Sequence, residues 1–345
     1  MKKTLTTLCL LVLSQTVHAV PEAQILQTLD QTVIPYFQSA YKTQEFRGVN
    51  QVPIKYYQRK VSNPNGVVIF SPGQSEASLK YAEFLYDIQD LNYDIYIIDH
   101  RSQGYSGRLI SDPGKTHVEH FQDYVDDLTY LINEIVHPEK YKNSVLIGHS
   151  MGGAISTGYL LQNPKKLKAA LLSAPMLQIN TGYFNNLSAD VIATSVDILG
   201  LGNIYAPTQK PYNPNSRFED NKETSSFNRF IMKKMIYNPR PEIQVGGTTF
   251  RWLKESLQFT VQIRTNTDVK LQTPTVVFQA GHDQYVLPYG QNRFCEELNP
   301  QMCKLVRTGF ETSQHEILME TDSIRSYAIK FIKNYIQYFE EHTAK

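Results

Sequence analysis

Short, largely apolar runs recur along the chain at Gly66 to Phe70, Ile95 to Ile98, Val145 to Ile147, Ala169 to Leu172, Thr275 to Gln279 and Lys304 to Val306. Runs this short, with little polar alternation, are strands covered on both faces, as a mostly parallel sheet requires. Ahead of them Phe46 to Tyr57 does alternate, with Val52, Ile54 and Tyr56 on one face, and predicts an antiparallel strand pair. Between the runs the period lengthens. Phe121, Val125, Leu128, Ile132 and Ile135 recur every three or four positions, the apolar stripe of one helix. Ala23 to Tyr41 predicts an amphipathic helix across the sheet edge, and Gly152 to Leu161 and Ile324 to Ile336 predict two more. Strands alternating with helices give an α/β fold, with a mostly parallel central sheet flanked by helices.

The rhythm stops between Gln178 and Lys270. Helix-like pieces, Asn186 to Leu199 and Ser225 to Met235, flank a stretch rich in Pro, Asn and Tyr from Asn203 to Arg217. An insertion after the fourth parallel strand sits over the carboxyl ends of the sheet, where open α/β folds bind ligands. Residues 178–270 are therefore expected to form a helical cap that shapes the substrate site. The alternative is a separately folded domain without a catalytic role. The core is then split into residues 20–177 and 271–345.

The first 19 residues read as a targeting segment. Lys2 and Lys3 supply positive charge, Leu5 to Leu13 is mostly apolar, and Val17-His18-Ala19 offers small residues at the positions a signal peptidase reads. Cleavage is expected after Ala19, placing the protein in the periplasm or outside the cell, or in association with a membrane. The apolar stretch is too short to span a bilayer. Removing residues 1–19 takes the 34 basic residues to 32 against 33 acidic ones, a net charge of −1. With no basic run, nucleic acid has no electrostatic claim on this chain. Cys295 and Cys303 remain after cleavage; in an oxidising compartment the pair is a disulfide candidate, with two buried thiols the competing reading.

The chemistry centres on Gly148-His149-Ser150-Met151-Gly152, between an apolar run and a helical stretch. A serine between two glycines at a strand-to-helix turn is a nucleophile elbow: the turn is too tight for flanking side chains and holds the hydroxyl out above the sheet. A serine needs a base, and the base needs an acid to fix its tautomer. His315 lies in a short polar loop beyond the last strand and before the final helix, and Asp283 follows the strand that ends near Gln279. The order Ser150, Asp283, His315 is that of the α/β-hydrolases. His282 is a rival base, and His149 should point into the fold. Backbone N–H groups of Met151 and Gln74 are the candidate oxyanion donors, Gln74 lying in the turn after the first parallel strand. His117 and His120 flank Glu119, but with no third ligand nearby they are assigned to a solvated first turn, and no metal site is expected.

Several stretches carry a family resemblance: Phe70 to Gln74, Asp99 to Arg108, the elbow, Gly281-His282-Asp283, His315-Glu316 and Val245 to Ser256. Together they resemble the monoglyceride lipase and lysophospholipase L2 family of the α/β-hydrolases, from about residue 45 to 340. The resemblance implies an α/β-hydrolase fold with a cap, and hydrolysis of the carboxylic ester of a single-acyl lipid through an acyl-serine, without metal or organic cofactor. It leaves open a short-chain ester, a thioester or acyl transfer, and a transient membrane-surface contact. Pro72-Gly73 replaces the His-Gly of many relatives, and Ser102 and Tyr105 stand where the lysophospholipase pattern has Gly and Arg.

Overall fold

A computed structural model describes residues 19–342; the expected signal segment, apart from Ala19, lies outside the described residues. Among these residues eight strands form one sheet in the order β1-β2-β4-β3-β5-β6-β7-β8. β1 (Lys42–Arg47) and β2 (Pro53–Arg59) form the antiparallel pair, and β2 also runs antiparallel to β4 (Tyr93–Ile98). Every later pairing is parallel, through β3 (Gly66–Ser71), β5 (Ser144–His149), β6 (Ala169–Ser173), β7 (Thr275–Phe278) and β8 (Cys303–Val306).

The apolar runs are buried on both faces except at the edge strand β8, where Lys304 and Leu305 are half-buried, and pleating shares their side chains between two cores. Val68 and Phe70 of β3 join Val145, Ile147 and Phe278 under α1 (residues 22–40), α2 (Ala82–Asp87) and α9 (Asp322–His342). Val67 and Ile69 face the other way, with Leu146, Leu172 and Val277, under α3 (residues 122–136) and α4 (Ser150–Gln162). Each fully buried Val, Leu, Ile or Phe in these layers contributes roughly 1.5–3 kcal/mol.

Residues 178–270 supply no strand. They hold α5 (residues 186–201), α6 (Phe227–Tyr237) and α7 (Phe250–Thr265). α7 was not expected from the sequence. Its buried stripe, Trp252, Ser256, Phe259, Thr260 and Ile263, is interrupted by two small polar residues, which hides the period. Thr249 caps it, its hydroxyl accepting from the Trp252 N–H at 3.2 Å. α6 and α7 are built into the cores: Met232, Ile236 and Tyr237 join the first, Trp252, Phe259 and Ile263 the second. α5 instead buries only Ala189 and Ala193 of its main body and leaves Leu187, Val191, Ile198 and Leu199 exposed.

Two further differences have plain causes. β4 begins two residues earlier than expected because Asp94, which looks like a strand boundary, is a buried member satisfied by the Val61 N–H, the Lys60 ammonium and the Tyr141 hydroxyl. His117 is fully buried rather than on a solvated turn, paired with the Thr249 hydroxyl at 2.9 Å. Cys295, in α8 (residues 288–298), and Cys303 of β8 are joined in a disulfide, with Cα atoms 4.7 Å apart.

Arg101 ties the hairpin turn to α3. Its guanidinium, 1% exposed, holds Asp127 through two bonds of 2.8 Å and Asp123 through one of 2.9 Å, and also reaches the Val49 carbonyl. Removing it strands two carboxylates away from water. Arg101→Ala should lower the unfolding free energy by about 3–5 kcal/mol in a denaturant titration. Arg101→Lys should recover only part of this, because an ammonium cannot reproduce the two-pronged bond; equal stability of all three forms would contradict the assignment.

Candidate active site

The site is assembled at the carboxyl edge of the sheet. Ser150 follows β5 directly and opens α4, with its backbone at φ 50°, in the left-handed region that L residues rarely occupy. The neighbours explain why the turn needs glycine. A Cβ on Gly152 would lie 2.0 Å from the Ser71 carbonyl oxygen, and one on Gly148 would lie 2.6 Å from the Ser156 hydroxyl. The strain places the Ser150 hydroxyl where a base can reach it.

The imidazole of His315 is in reach. His315 Nε2 lies 2.8 Å from Ser150 Oγ, and His315 Nδ1 lies 2.7 Å from Asp283 Oδ2. A carboxylate can only accept, so Nδ1 carries the proton and Nε2 is free to accept from the serine. The other Asp283 oxygen accepts the backbone N–H groups of Tyr285 and Val286, which fixes the carboxylate's orientation. The rival His282 is exposed and stands outside this line. Burial disfavours a charged imidazole at His315, yet the Asp283 carboxylate, backed by Glu316 and Glu76, outweighs it and raises the pKa above the ordinary value.

Met151 is the second residue of α4, where the helix offers its N–H no internal acceptor. Gln74 lies in the turn after β3. Its N–H meets no backbone acceptor among the described residues, and its side chain bonds Thr116 and the Gly246 carbonyl. The turn is braced by Gln103, whose amide donates to the Gly73 and Glu76 carbonyls and accepts from the Ser75 N–H.

Beneath the relay is a charge cluster that the motif reading missed. Glu76 accepts from the Gly73 N–H and from the Tyr81 hydroxyl. The buried Lys80 ammonium bridges Glu76 and Glu316, the residue next to His315. Burial opposes both charges, but Lys80 holds Glu316 well below the usual carboxylate range, and the two acids keep Lys80 above its own ordinary value. His149 points inward as expected. Its Nδ1 donates to the Ser173 carbonyl at 3.2 Å, and burial lowers its pKa. Glu76, His149 and Glu316 have ligand atoms within 4.8 Å of one another, spacing that could suit a cation, but Lys80 already stands between the two carboxylates. The signal available in the sequence was an acid and a base, Glu76 and Lys80, four residues apart.

The insertion frames this edge. Ile179 pairs with Val286, the Asn180 N–H bonds the Tyr285 carbonyl at 2.9 Å, and the Tyr285 ring lies 5.2 Å from that of His315. On the opposite side Thr116 pairs with Thr248, beside Gln74.

Comparison with known proteins agrees with this geometry. Residues 62–322 match the family model described as serine aminopeptidase, S33. The chain is 34% identical over 304 residues to lysophospholipase L2 of Escherichia coli (strain K12), covering 87% of this chain and 88% of the relative. It is 29% identical to the probable lysophospholipase L2 of Haemophilus influenzae, covering 88% and 94%. Among solved structures, a soluble variant of monoglyceride lipase from Saccharomyces cerevisiae superposes with a TM-score of 0.67 at 18% identity, over 88% of this chain and 96% of that one. A thermostable carboxyl esterase from Bacillus coagulans reaches the same TM-score at 16% identity, over 87% and 99%. An eight-stranded hydrolase sheet, a strained serine elbow and 34% identity across most of the chain place this protein in the serine aminopeptidase S33 family of α/β-hydrolases.

Proposed function

We propose that this protein is an exported serine hydrolase that cleaves the carboxylic ester of a single-acyl lipid, a lysophospholipid or a monoacylglycerol. The observation that carries the reading is the unbroken line from Ser150 Oγ through His315 to Asp283, with bonds of 2.8 and 2.7 Å. Ser150 attacks the ester carbonyl as His315 Nε2 takes its proton; Asp283 holds the resulting imidazolium. The oxyanion is received by the N–H groups of Gln74 and Met151. His315 then protonates the leaving alcohol, and water drawn through the same imidazole releases the fatty acid from Ser150. No step calls on a metal or an organic cofactor.

The lipid substrate is supported by the names of the relatives, lysophospholipase L2 among them. It is also supported by residues 178–270, read here as a cap. Tyr183, Phe184, Leu187, Val191, Ile198, Leu199 and Leu201 are exposed on α5 and the loop before it, a concentration of apolar surface unusual for a surface helix. This face is assigned to transient contact with a lipid surface. Export to the periplasm or beyond rests on the leader-like residues 1–19 and is consistent with the Cys295–Cys303 disulfide.

Ser150→Ala and His315→Ala should each lower kcat by roughly 10⁴- to 10⁶-fold, and Asp283→Asn by a comparable or smaller factor. A fluorophosphonate probe should label the wild type but not Ser150→Ala; equal labelling of both defeats the nucleophile assignment. Lysophosphatidylcholine and monoolein should be turned over faster than short p-nitrophenyl esters, and a preference for the acetate would favour the short-ester alternative.

The pH dependence follows from the raised His315 pKa. The base must be neutral, so activity is lost as pH falls through that value, and the acid limb of kcat/KM should lie above about 6.5, the value of a free imidazole. Asp283→Asn should move the limb downward in a pH–rate profile. A limb unmoved by that change would mean another acid holds the imidazole.

Charging the exposed face of α5, by Ile198→Glu with Leu199→Glu, should cut turnover of vesicle-borne substrate about tenfold and leave turnover of a dissolved short ester unchanged. Equal loss on both substrates would place the face inside the fold's stability rather than at a membrane.

A further inference from the structure

We propose that removal of the leader after Ala19 does more than release the protein: it creates an α-ammonium at Val20 that completes a buried ring of charges and locks the mature fold. The inference rests on the cleavage position proposed above. The structure supplies the receptor. Val20 is 8% exposed, and its backbone N–H donates to Asp87 Oδ1 at 2.9 Å. Asp87 belongs to α2, and its other oxygen takes Arg325 Nη1 of α9 at 2.6 Å. The same Arg325 nitrogen lies 3.3 Å from Glu83. Glu83 in turn takes Arg229 of α6 through bonds of 3.0 and 3.1 Å. Arg229 Nη2 also reaches Asp322 at 2.8 Å and the Val20 carbonyl at 3.1 Å. Asp322 accepts the Glu22 N–H through both oxygens.

Among the described residues the ring is unbalanced while the Val20 nitrogen is an amide. Three carboxylates, Glu83, Asp87 and Asp322, face two guanidinium groups, Arg229 and Arg325, and all but Asp322 are buried. Two other acids are near but engaged elsewhere. Glu320 spends its carboxylate on the N–H groups of Gln314, Ser225 and Thr321, and Glu22 takes the Ser226 hydroxyl. Burial is the largest influence on Glu83 and raises its pKa against the two arginines, with the neighbouring Asp87 carboxylate acting in the same direction.

Signal-peptidase hydrolysis of the Ala19–Val20 bond consumes one water. It leaves a carboxylate on Ala19 and an amine on Val20 that takes up a proton at neutral pH, the ordinary α-amine pKa being about 8. The nitrogen that faced Asp87 as a neutral amide now faces it as a cation, and three charges of each sign balance. The lock joins the N-terminus to α2, to α6 of the insertion and to the closing helix α9. An ion pair at this depth is stronger than at a surface because neighbouring water no longer screens it.

The test compares a chain that begins at Val20 with one that keeps Val17-His18-Ala19 ahead of it, both otherwise wild type. Intact mass of the natively exported protein first reads the terminus. A start elsewhere than Val20 overturns the cleavage position and this inference with it. With Val20 as the start, the Val20 form should melt about 3 °C or more above the extended form at pH 7. The paired ammonium has a pKa above its unfolded value, so its contribution is fully present below about pH 8 and is lost as pH rises through the folded value. The gap between the forms should therefore close in strongly alkaline buffer, and also in Asp87→Asn at pH 7. Equal melting of the two wild-type forms at pH 7 overturns the lock while leaving the cleavage position standing. That comparison decides the matter even where Asp87→Asn fails to fold.

Discussion

Parallel pairing from β3 to β8 is the constraint on which the site depends. Strands that run the same way deliver their following loops to one edge. Ser150 leaves β5, Asp283 follows β7 and His315 follows β8, so residues as many as 165 positions apart in sequence meet within hydrogen-bond distance. β5 is separated from β7 only by β6, and the His315 loop reaches back across that gap. Had β7 or β8 run opposite to β5, its following loop would have gone to the opposite end of the sheet.

Convergence alone leaves the loops free to wander, and the ions below the relay limit that freedom. Lys80 holds Glu76 with one hand and Glu316 with the other. Glu76 fixes the turn that presents Gln74, while Glu316 adjoins the proposed base. One buried ammonium therefore couples the loop that would receive the oxyanion to the loop that would carry the proton. Such a cluster is costly to bury, and only near-complete pairing offsets the desolvation. Its two acids against one cation leave negative potential under His315, in the same direction as the Asp283 effect.

What the sequence makes legible follows the periodicity of burial. The inner parallel strands are visible because both faces are covered and their side chains are almost uniformly apolar. The elbow is visible because steric crowding at Gly148 and Gly152 restricts the residue type. The triad order follows from loops after strands. The rest depends on pairing that a single sequence does not display. Asp94 hides inside a strand because its three partners come from elsewhere in the chain. α7 hides because Ser256 and Thr260 occupy its buried face. Glu76, Lys80 and Glu316 were missed for the same reason: their meaning lies in a contact spanning 236 positions between Lys80 and Glu316.

Under the proposed lipid-ester reading, the insertion would reconcile a rigid site with a substrate drawn from a lipid phase. A cap that merely rested on the core would be mobile but would position nothing. Here α6 and α7 pack into the two cores, while the segments that lead into α7 and α5 are bonded beside Gln74 and Tyr285 respectively. α5 carries the opposite specification, with two alanines buried and a row of large apolar side chains left in water. That exposure is unfavourable in solution by roughly 25 cal/mol for each Å², and the proposed entry of the face into a lipid surface would relieve it. Because the stretch leading into α5 is bonded to the loop that carries Asp283, entry of that face would bring the proposed relay to the interface where a single-acyl ester resides. On the proposed reading, this division between anchored and exposed helices would let one segment both shape the site and deliver it.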